Sequence, residues 1–258
     1  MSGTAEMLRG GATVLGGWTL TGHPAVAEIT AECGFDFLGI DLEHTDISLG
    51  DLHRCALALK GTGCELLARL PSCDPVMAKR ALDLGAAGII VPSVNSVAEA
   101  ARAVAMALFP PDGVRGASLC RATGYGARFP EYYSGHNRSV TVVVMLEHAD
   151  AVRDARAILG VPGISAALVG PYDLSASMGL PGQLDHPEVV AAQGAILEAC
   201  RATNVPAGIH VVSDDPADIR RRMNEGYRFI ACGIDTLFLR AGCRRVLEAR
   251  EGPHAGGD

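Results

Sequence analysis

The chain alternates short apolar segments with longer amphipathic segments eight times. The apolar segments are continuous runs rather than alternating patterns, which is typical of parallel strands that are covered on both faces. We predict strands at residues 13–18, 35–41, 64–69, 88–92, 140–147, 164–170, 206–211 and 228–233. We predict helices near residues 23–33, 48–60, 74–84, 95–107, 149–159, 187–203, 214–225 and 235–250. Eight such strand–helix units indicate an α/β fold, the (β/α)8 TIM barrel.

The chain is expected to form one domain over residues 1–258, because barrels of this length do not split and no Pro/Gly-rich linker divides it. The Gly-rich segment 251–258 is expected to be a disordered tail. The connection 109–139 contains no clear barrel element, and connections of this length are usually functional. We therefore expect it to belong to the substrate pocket or to a contact between subunits.

Charge and cysteine usage narrow the class of protein. The net charge of -7 argues against a nucleic-acid partner, since phosphate binding requires a basic surface. The eight cysteines form no C-x-x-C motif, so reduced buried thiols are expected rather than a zinc site or disulfides. The sequence shows neither a signal peptide nor an apolar stretch of transmembrane length. We expect a cytoplasmic enzyme without a membrane partner.

Two carboxylates follow neighbouring predicted strands. Glu147 ends the fifth apolar segment and Asp173 lies just beyond the sixth, so both are expected at the rim formed by the carboxyl ends of the strands. Two carboxylates on a hard divalent ion leave positions for water and for a bidentate 2-oxo acid. The alternative is that Glu147 forms a structural salt bridge and Asp173 caps a turn.

Arginine and histidine follow two other strands. Arg69 ends the third strand, and its planar guanidinium matches a carboxylate or an enolate oxygen, although a structural ion pair to Asp41 or Glu43 remains open. His44 lies just beyond the second strand and is a candidate proton shuttle. Either Asp41 or Asp83 could orient its ring. The sequence does not decide between these two carboxylates.

The missing motifs favour metal-dependent enolate chemistry. The sequence contains no G-x-G-x-x-G helix entry and no phosphate-binding P-loop motif. Its only lysines, Lys60 and Lys79, lie in predicted helices, which argues against a Schiff-base mechanism. Gly170 and Pro171 bring backbone close to a ligand with little side-chain bulk.

Several of these residues lie in segments that resemble a known family. The segments are Gly-Phe-Asp-Phe at 34–37, Ile-Asp-Leu-Glu-His at 40–44, Ala-Arg-Leu-Pro at 68–71, Leu-Asp-Leu-Gly-Ala at 82–86, Ile-Val-Pro-Ser-Val at 90–94, Pro-Pro-Asp-Gly-Val-Arg-Gly at 110–116, Leu-Glu at 146–147 and Val-Gly-Pro-Tyr-Asp-Leu-Ser at 169–175. Together they resemble the HpcH/HpaI aldolase/citrate lyase family, which contains metal-dependent class II aldolases on a TIM barrel. The resemblance covers nearly the whole chain.

The resemblance implies a role for each candidate residue. Glu147 and Asp173 would hold Mg²⁺ or Mn²⁺, with Co²⁺ as a further candidate. Arg69 would bind pyruvate and stabilise its enolate, and His44, paired with Asp83 or Asp41, would move a proton at the hydroxyl of the bond that breaks. Contacts to the 2-oxo acid would come from Gly170, Pro171 and Tyr172.

The resemblance also implies the partners. The substrates would be a small 2-oxo acid and an aldehyde or acyl-CoA acceptor. The protein would be a homo-oligomer, a hexamer or trimer of dimers, in which the last helix (235–250) is exchanged between subunits.

Four residues bear on the acceptor. Met145 stands where sugar-acid aldolases of the family often carry Gln, and His210 stands where an apolar residue is usual. Arg121 lies in the segment 119–126, which is closer to a family branch that makes citrate for siderophores. Trp18, at the end of the first strand, is a further candidate for substrate binding.

Three functions follow from these features. The first is aldol addition or cleavage between a pyruvate-type enolate and an aldehyde. The alternative is a citrate-synthase-like condensation of oxaloacetate with acetyl-CoA, in which Arg121 and His210 would serve the extra carboxylates. A non-catalytic binding module is a third, disfavoured by the full set of candidate residues.

Overall fold

Eight parallel strands form a closed barrel in which each strand is hydrogen-bonded to the next and the eighth to the first. The structure is a computed structural model that describes residues 2–250. The strands are β1 (Val14–Thr19), β2 (Phe37–Asp41), β3 (Glu65–Arg69), β4 (Gly88–Val91), β5 (Thr141–Leu146), β6 (Ala166–Val169), β7 (Ala207–Val211) and β8 (Phe229–Cys232). The predicted (β/α)8 barrel is confirmed. The predicted disordered tail lies outside the described residues.

Eleven α-helices are present in the described part of the chain. They are α1 (Thr4–Arg9), α2 (Pro24–Glu32), α3 (Leu49–Ala58), α4 (Pro75–Leu84), α5 (Val97–Ala107), α6 (Phe129–Ser139), α7 (Ala149–Leu159), α8 (Pro171–Ser177), α9 (Pro187–Thr203), α10 (Pro216–Glu225) and α11 (Asp235–Leu247), followed by a 3₁₀ turn at Glu248–Arg250. The pattern of the sequence missed α1, α6 and α8. None of the helices within residues 2–250 is both long and apolar enough to cross a membrane.

Aromatic rings fill the interior of the barrel where the neighbouring strand carries glycine. A Cβ at Gly16 would lie 2.2 Å from the ring of Phe37, and that ring stacks on Phe229 with centroids 4.5 Å apart. A Cβ at Gly39 would lie 2.5 Å from the ring of Trp18. Side chains therefore occupy the middle of the barrel, as in other barrels of this fold. A ligand must bind where the strands end.

The long connection 109–139 lies at the amino-terminal end of the barrel. Arg121 donates hydrogen bonds to the carbonyl oxygens of Ala56 (2.7 Å) and Leu84 (3.0 Å). Because α3 and α4 run antiparallel to the strands, their last carbonyls mark the end opposite the strand carboxyl ends. Within its own chain Arg121 therefore lies at the end of the barrel opposite to the strand carboxyl ends, and its role in substrate binding stays a prediction.

A buried arginine fixes the same connection to the barrel. Arg115 is 3% exposed and donates to Asp83 Oδ1 (2.7 Å) and to the Tyr132 hydroxyl (3.1 Å), and its Nη1 lies 2.8 Å from His136 Nε2. Burial, followed by the charge of Arg115, lowers the pKa of His136 to about 4. Asp83 is thus held near the end of α4, at the amino-terminal end of the barrel. Within one chain Asp83 and His44 therefore lie at opposite ends of the barrel, and the pairing of Asp83 with His44 stays a prediction.

Candidate active site

Asp41 organises the carboxyl end of the barrel. Its Oδ1 accepts the backbone N–H groups of Glu43 (2.9 Å) and His44 (3.1 Å), which turns the loop after β2 back over the strand. Its Oδ2 accepts hydrogen bonds from Trp18 Nε1 (3.3 Å) and Arg69 Nη1 (3.2 Å). One buried carboxylate therefore fixes a loop, an indole ring and a guanidinium at the same time.

Arg69 lies between two carboxylates in the interior of the site. It is 7% exposed, and its Nη2 lies 2.5 Å from Glu43 Oε2 while Nη1 binds Asp41. Burial is the main cause that raises the pKa of Glu43, and the charge of Arg69 opposes it. The structural ion pair that the sequence left open is present. It holds the planar guanidinium in one orientation, as recognition of an oxygen pair requires.

The ring of His44 faces the same two groups. Its Nε2 lies 3.4 Å from Arg69 Nη2 and 3.7 Å from Glu43 Oε2, and 59% of the side chain is exposed. Asp41 binds the backbone of His44 rather than its ring. The carboxylate beside the ring is therefore Glu43. Its role was missed, because spacing along the sequence does not reveal which acid a loop turns toward the ring.

Glu147 carries a buried oxygen without a partner. The residue is 5% exposed, and its Oε1 accepts the Ser93 N–H (2.7 Å) and hydroxyl (3.3 Å). Its Oε2 is buried and makes no hydrogen bond within the described residues. Burial raises the pKa of the Glu147 carboxyl, and the hydrogen bond from Ser93 opposes the shift. An unpartnered buried carboxylate oxygen is costly unless a cation or a donor completes it.

Ser93 was not identified from the sequence as a site residue. Its φ of 52° lies in the left-handed region, which residues other than glycine adopt at a cost of about 1–3 kcal/mol. This conformation directs the Ser93 N–H at Glu147. Only its position directly after β4 and Pro92 gave any signal.

Gly170 and Asp173 complete the surroundings of the free oxygen. A Cβ at Gly170 would lie 2.7 Å from Glu147 Oε2, so only glycine leaves this space open. Asp173 is exposed in the first turn of α8, and its charge contributes to the raised pKa of Glu147. Pro171 is buried at the start of the same helix, whereas Tyr172 is exposed.

The donor set suits a hard divalent cation. Glu147 supplies a buried free oxygen, and Asp173 is a second carboxylate close enough to affect its pKa. Residues 2–250 contain no group of three or more His, Cys, Asp or Glu side chains that could enclose a metal. Two carboxylates fit an ion that keeps most of its positions for water and substrate oxygens, which is the usual state of protein-bound Mg²⁺.

Uncharged side chains form the remaining wall. The ring of His210 lies 4.8 Å from the ring of Trp18, and its Nε2 lies 3.0 Å from the Gly233 carbonyl oxygen. A carbonyl only accepts, so this nitrogen carries the proton. Burial lowers the pKa of His210, which keeps the ring neutral. Met145 packs with Trp18 inside the barrel. A neutral His210 does not supply the charge expected for an extra carboxylate.

The chain is similar to proteins of known name and to solved structures. The chain is 34% identical over 234 residues to 5-keto-4-deoxy-D-glucarate aldolase of Salmonella arizonae, with 91% of each chain covered. It superposes with a TM-score of 0.91 on the crystal structure of an HpcH/HpaI aldolase/citrate lyase family protein from Burkholderia cenocepacia, at 33% identity over 96% of this chain and 98% of that one.

A second solved structure shares the fold alone. The citrate synthase SbnG gives a TM-score of 0.85 at 23% identity, covering 96% of this chain and 97% of that one. The family model described as HpcH/HpaI aldolase/citrate lyase matches residues 15–241, which include every strand except the first residue of β1. The chain belongs to the HpcH/HpaI aldolase/citrate lyase family.

Proposed function

We propose that the chain is a metal-dependent class II aldolase that forms or cleaves a C–C bond between the enolate of pyruvate, or a related 2-oxo acid, and an aldehyde. The observation that carries this proposal is the free, buried Oε2 of Glu147, a carboxyl group whose pKa is affected by the charges of both Asp173 and Arg69. Family membership and the aldolase relative at 34% identity support the same reaction type.

Glu147 and Asp173 would hold the ion, which we propose to be Mg²⁺ or Mn²⁺, with Co²⁺ as a further candidate. A bound divalent ion would supply Lewis-acid stabilisation of the negative charge that develops on the oxygen of the 2-oxo acid. Ser93 keeps Glu147 in place through Oε1 and leaves Oε2 for the ion. Gly170 keeps the space beside that oxygen open.

Arg69 would bind the carboxylate or the developing enolate oxygen of the substrate. Its side chain is already fixed by Asp41 and Glu43, so little conformational entropy would be lost on binding. Its Nε is buried without a hydrogen-bond partner in the described residues. The backbone at Gly170, Pro171 and Tyr172 would border the same 2-oxo acid.

His44 would move the proton at the hydroxyl group of the bond that forms or breaks. The exposed ring can reach a substrate, and Nε2 lies near Glu43, whose carboxylate would stabilise the protonated ring. Arg69 forms ion pairs with Asp41 and Glu43, so its guanidinium stays protonated. His44 is therefore the group of the site that would exchange a proton.

The citrate-forming alternative has weaker support. A tricarboxylate product would need cations for carboxylates beyond the one that Arg69 binds. Arg121 lies at the opposite end of the barrel of its own chain, and His210 is neutral.

We also propose a cytoplasmic location, which the eight free cysteines support.

Exchange of pyruvate methyl protons for deuterium, followed by NMR, tests the function. We expect exchange with Mg²⁺ or Mn²⁺ and its loss with EDTA. Glu147→Gln should slow it about 100-fold, because the neutral amide binds a cation poorly. Glu198→Gln changes an exposed helical carboxylate and serves as the matched control. Exchange that survives EDTA, or that Glu147→Gln leaves intact, would refute the metal assignment.

Gly170→Ala tests the space beside the free oxygen. The new Cβ would lie 2.7 Å from Glu147 Oε2, while the backbone φ of -96° accepts alanine. We expect Mn²⁺ affinity, measured by water-proton relaxation, to fall about tenfold or more. Gly194→Ala, which meets nothing within 4 Å, should bind Mn²⁺ like the wild type. Equal affinity in both variants would place the ion elsewhere.

We further propose a homo-oligomer, a hexamer or trimer of dimers, in which α11 packs on a neighbouring subunit. No residue of α11 is buried within one chain, and Leu239 (68%), Val246 (73%) and Leu247 (51%) are exposed. Apolar side chains exposed together mark an interaction surface.

Leu239→Asp with Val246→Asp should reduce the mass measured by light scattering, and Ile29→Asp on α2 should not. An unchanged mass in the double variant would exclude this interface.

A further inference from the structure

The carboxylate of Asp235 joins the first residue of α11 to the end of β1 and the loop that follows it. Its Oδ1 accepts a hydrogen bond from the Leu20 N–H (3.0 Å). Its Oδ2 accepts hydrogen bonds from the Thr19 hydroxyl (2.7 Å), the Thr21 hydroxyl (2.7 Å) and the Thr21 N–H (3.2 Å). Burial acts to raise the pKa of Asp235, but the hydrogen bonds from Thr21 and Thr19 outweigh it and lower the pKa. The group is therefore a charged acceptor, and hydrogen bonds to charged acceptors are the stronger ones.

The residue two positions before Asp235 holds the ring of His210. The carbonyl oxygen of Gly233 accepts the hydrogen bond from His210 Nε2 (3.0 Å). Gly233 has a φ of 62°, and a Cβ there would lie 2.2 Å from the ring of Phe238 in α11. Both the left-handed backbone and the close approach of the helix require glycine. The base of α11 therefore fixes the carbonyl that His210 uses.

The two attachments end on one pair of aromatic rings. Trp18 directly precedes Thr19 in β1, and its ring centroid lies 4.8 Å from that of His210. The segment 233–235 thus holds both rings of the uncharged wall of the site. It holds Trp18 through the end of β1 and His210 through the Gly233 carbonyl.

The groups assigned to the enolate are fixed by other contacts. Ser93 holds Glu147, and two carboxylates of the β2 end hold Arg69. These contacts involve neither α11 nor the loop after β1. A change at Asp235 should therefore displace the uncharged wall and leave the pyruvate side of the site in place.

We infer that Asp235 is a positioning residue for the acceptor, because it fixes the end of β1 to the start of α11 and so sets the positions of Trp18 and His210, against which the aldehyde binds. The inference rests on the proposed aldolase function and adds to it a residue that acts on acceptor binding. Because α11 is the helix proposed to pack on a neighbouring subunit, Asp235 also lies between that contact and the site.

The fluorescence of Trp18 tests this link without reference to the reaction, since Trp18 is the single tryptophan of the chain and is 2% exposed. In Asp235→Ala we expect the emission to shift to longer wavelength and its quenching by acrylamide to increase, because the released indole gains contact with water. The matched control is Asp215→Ala, which removes the carboxylate that caps α10 through the Ala217 N–H (2.8 Å). It should keep the wild-type spectrum.

Steady-state kinetics separate the acceptor from pyruvate. With Mn²⁺ and the better of D-glyceraldehyde and succinic semialdehyde as acceptor, we expect Asp235→Ala to raise the acceptor KM about tenfold or more. The pyruvate KM and the exchange of its methyl protons should remain at the wild-type level. Asp235→Asn keeps the shape and one acceptor oxygen, so its acceptor KM should lie between those of the wild type and Asp235→Ala.

A milder variant covers the case in which Asp235→Ala does not fold. Thr21→Val removes one hydroxyl donor from an exposed position. It should change the Trp18 spectrum and the acceptor KM in the same direction by a smaller amount.

The outcomes separate the inference from the proposed function. An unchanged Trp18 spectrum in the Asp235 and Thr21 variants would overturn the inference, and so would equal effects in Asp215→Ala. A loss of pyruvate exchange as large as the loss of acceptor affinity would also overturn it, because Asp235 would then support the whole site. Wild-type protein without metal-dependent exchange would instead refute the proposed function.

Discussion

The buried pair of Asp41 and Arg69 is the interaction on which the site depends. Taking two opposite charges out of water costs several kcal/mol per ion and is repaid only by close geometry and additional hydrogen bonds. Asp41 meets that condition by accepting four donors, two from the loop after β2 and two from the side chains of Trp18 and Arg69. Removing Arg69 would leave the charge of Asp41 uncompensated inside the barrel, whereas removing Asp41 would leave Arg69 paired with Glu43 alone. The loop that carries His44 would also lose its anchor.

Glu147 has the opposite arrangement, because one oxygen of this buried carboxylate has no hydrogen-bond partner in the described residues. Ser93 adopts a left-handed conformation to bind one oxygen, and Gly170 leaves the other accessible. The strained backbone of Ser93, the glycine at position 170 and the unpartnered oxygen therefore all meet at Glu147. Structure retained at such local cost is typical of functional sites. Below this site, aromatic rings fill the interior of the barrel and confine the cavity to the ends of the strands.

The barrel and several residues of the candidate site could be predicted from the sequence, because the end of a buried parallel strand can be read from the apolar pattern. A continuous apolar run that stops at a charged residue fixes both the strand and the direction of the final side chain, as at Arg69 and Glu147. The contacts of Arg121 and Asp83 could not be predicted, because they depend on how the connection 109–139 folds beneath the barrel. Ser93 and the position of Glu43 beside the His44 ring were missed because a positive φ and a loop turn decide these contacts. The neutrality of His210 follows from burial, which one sequence does not reveal.

A crystal structure with Mn²⁺, with data collected at wavelengths on both sides of the manganese absorption edge, tests the central claim most directly. We expect an anomalous peak within about 2.0–2.3 Å of Glu147 Oε2 and of an Asp173 oxygen. Ser93 should remain bound to Oε1. A peak at other residues, or Glu147 Oε2 turned to a protein donor with no peak beside it, would contradict the account.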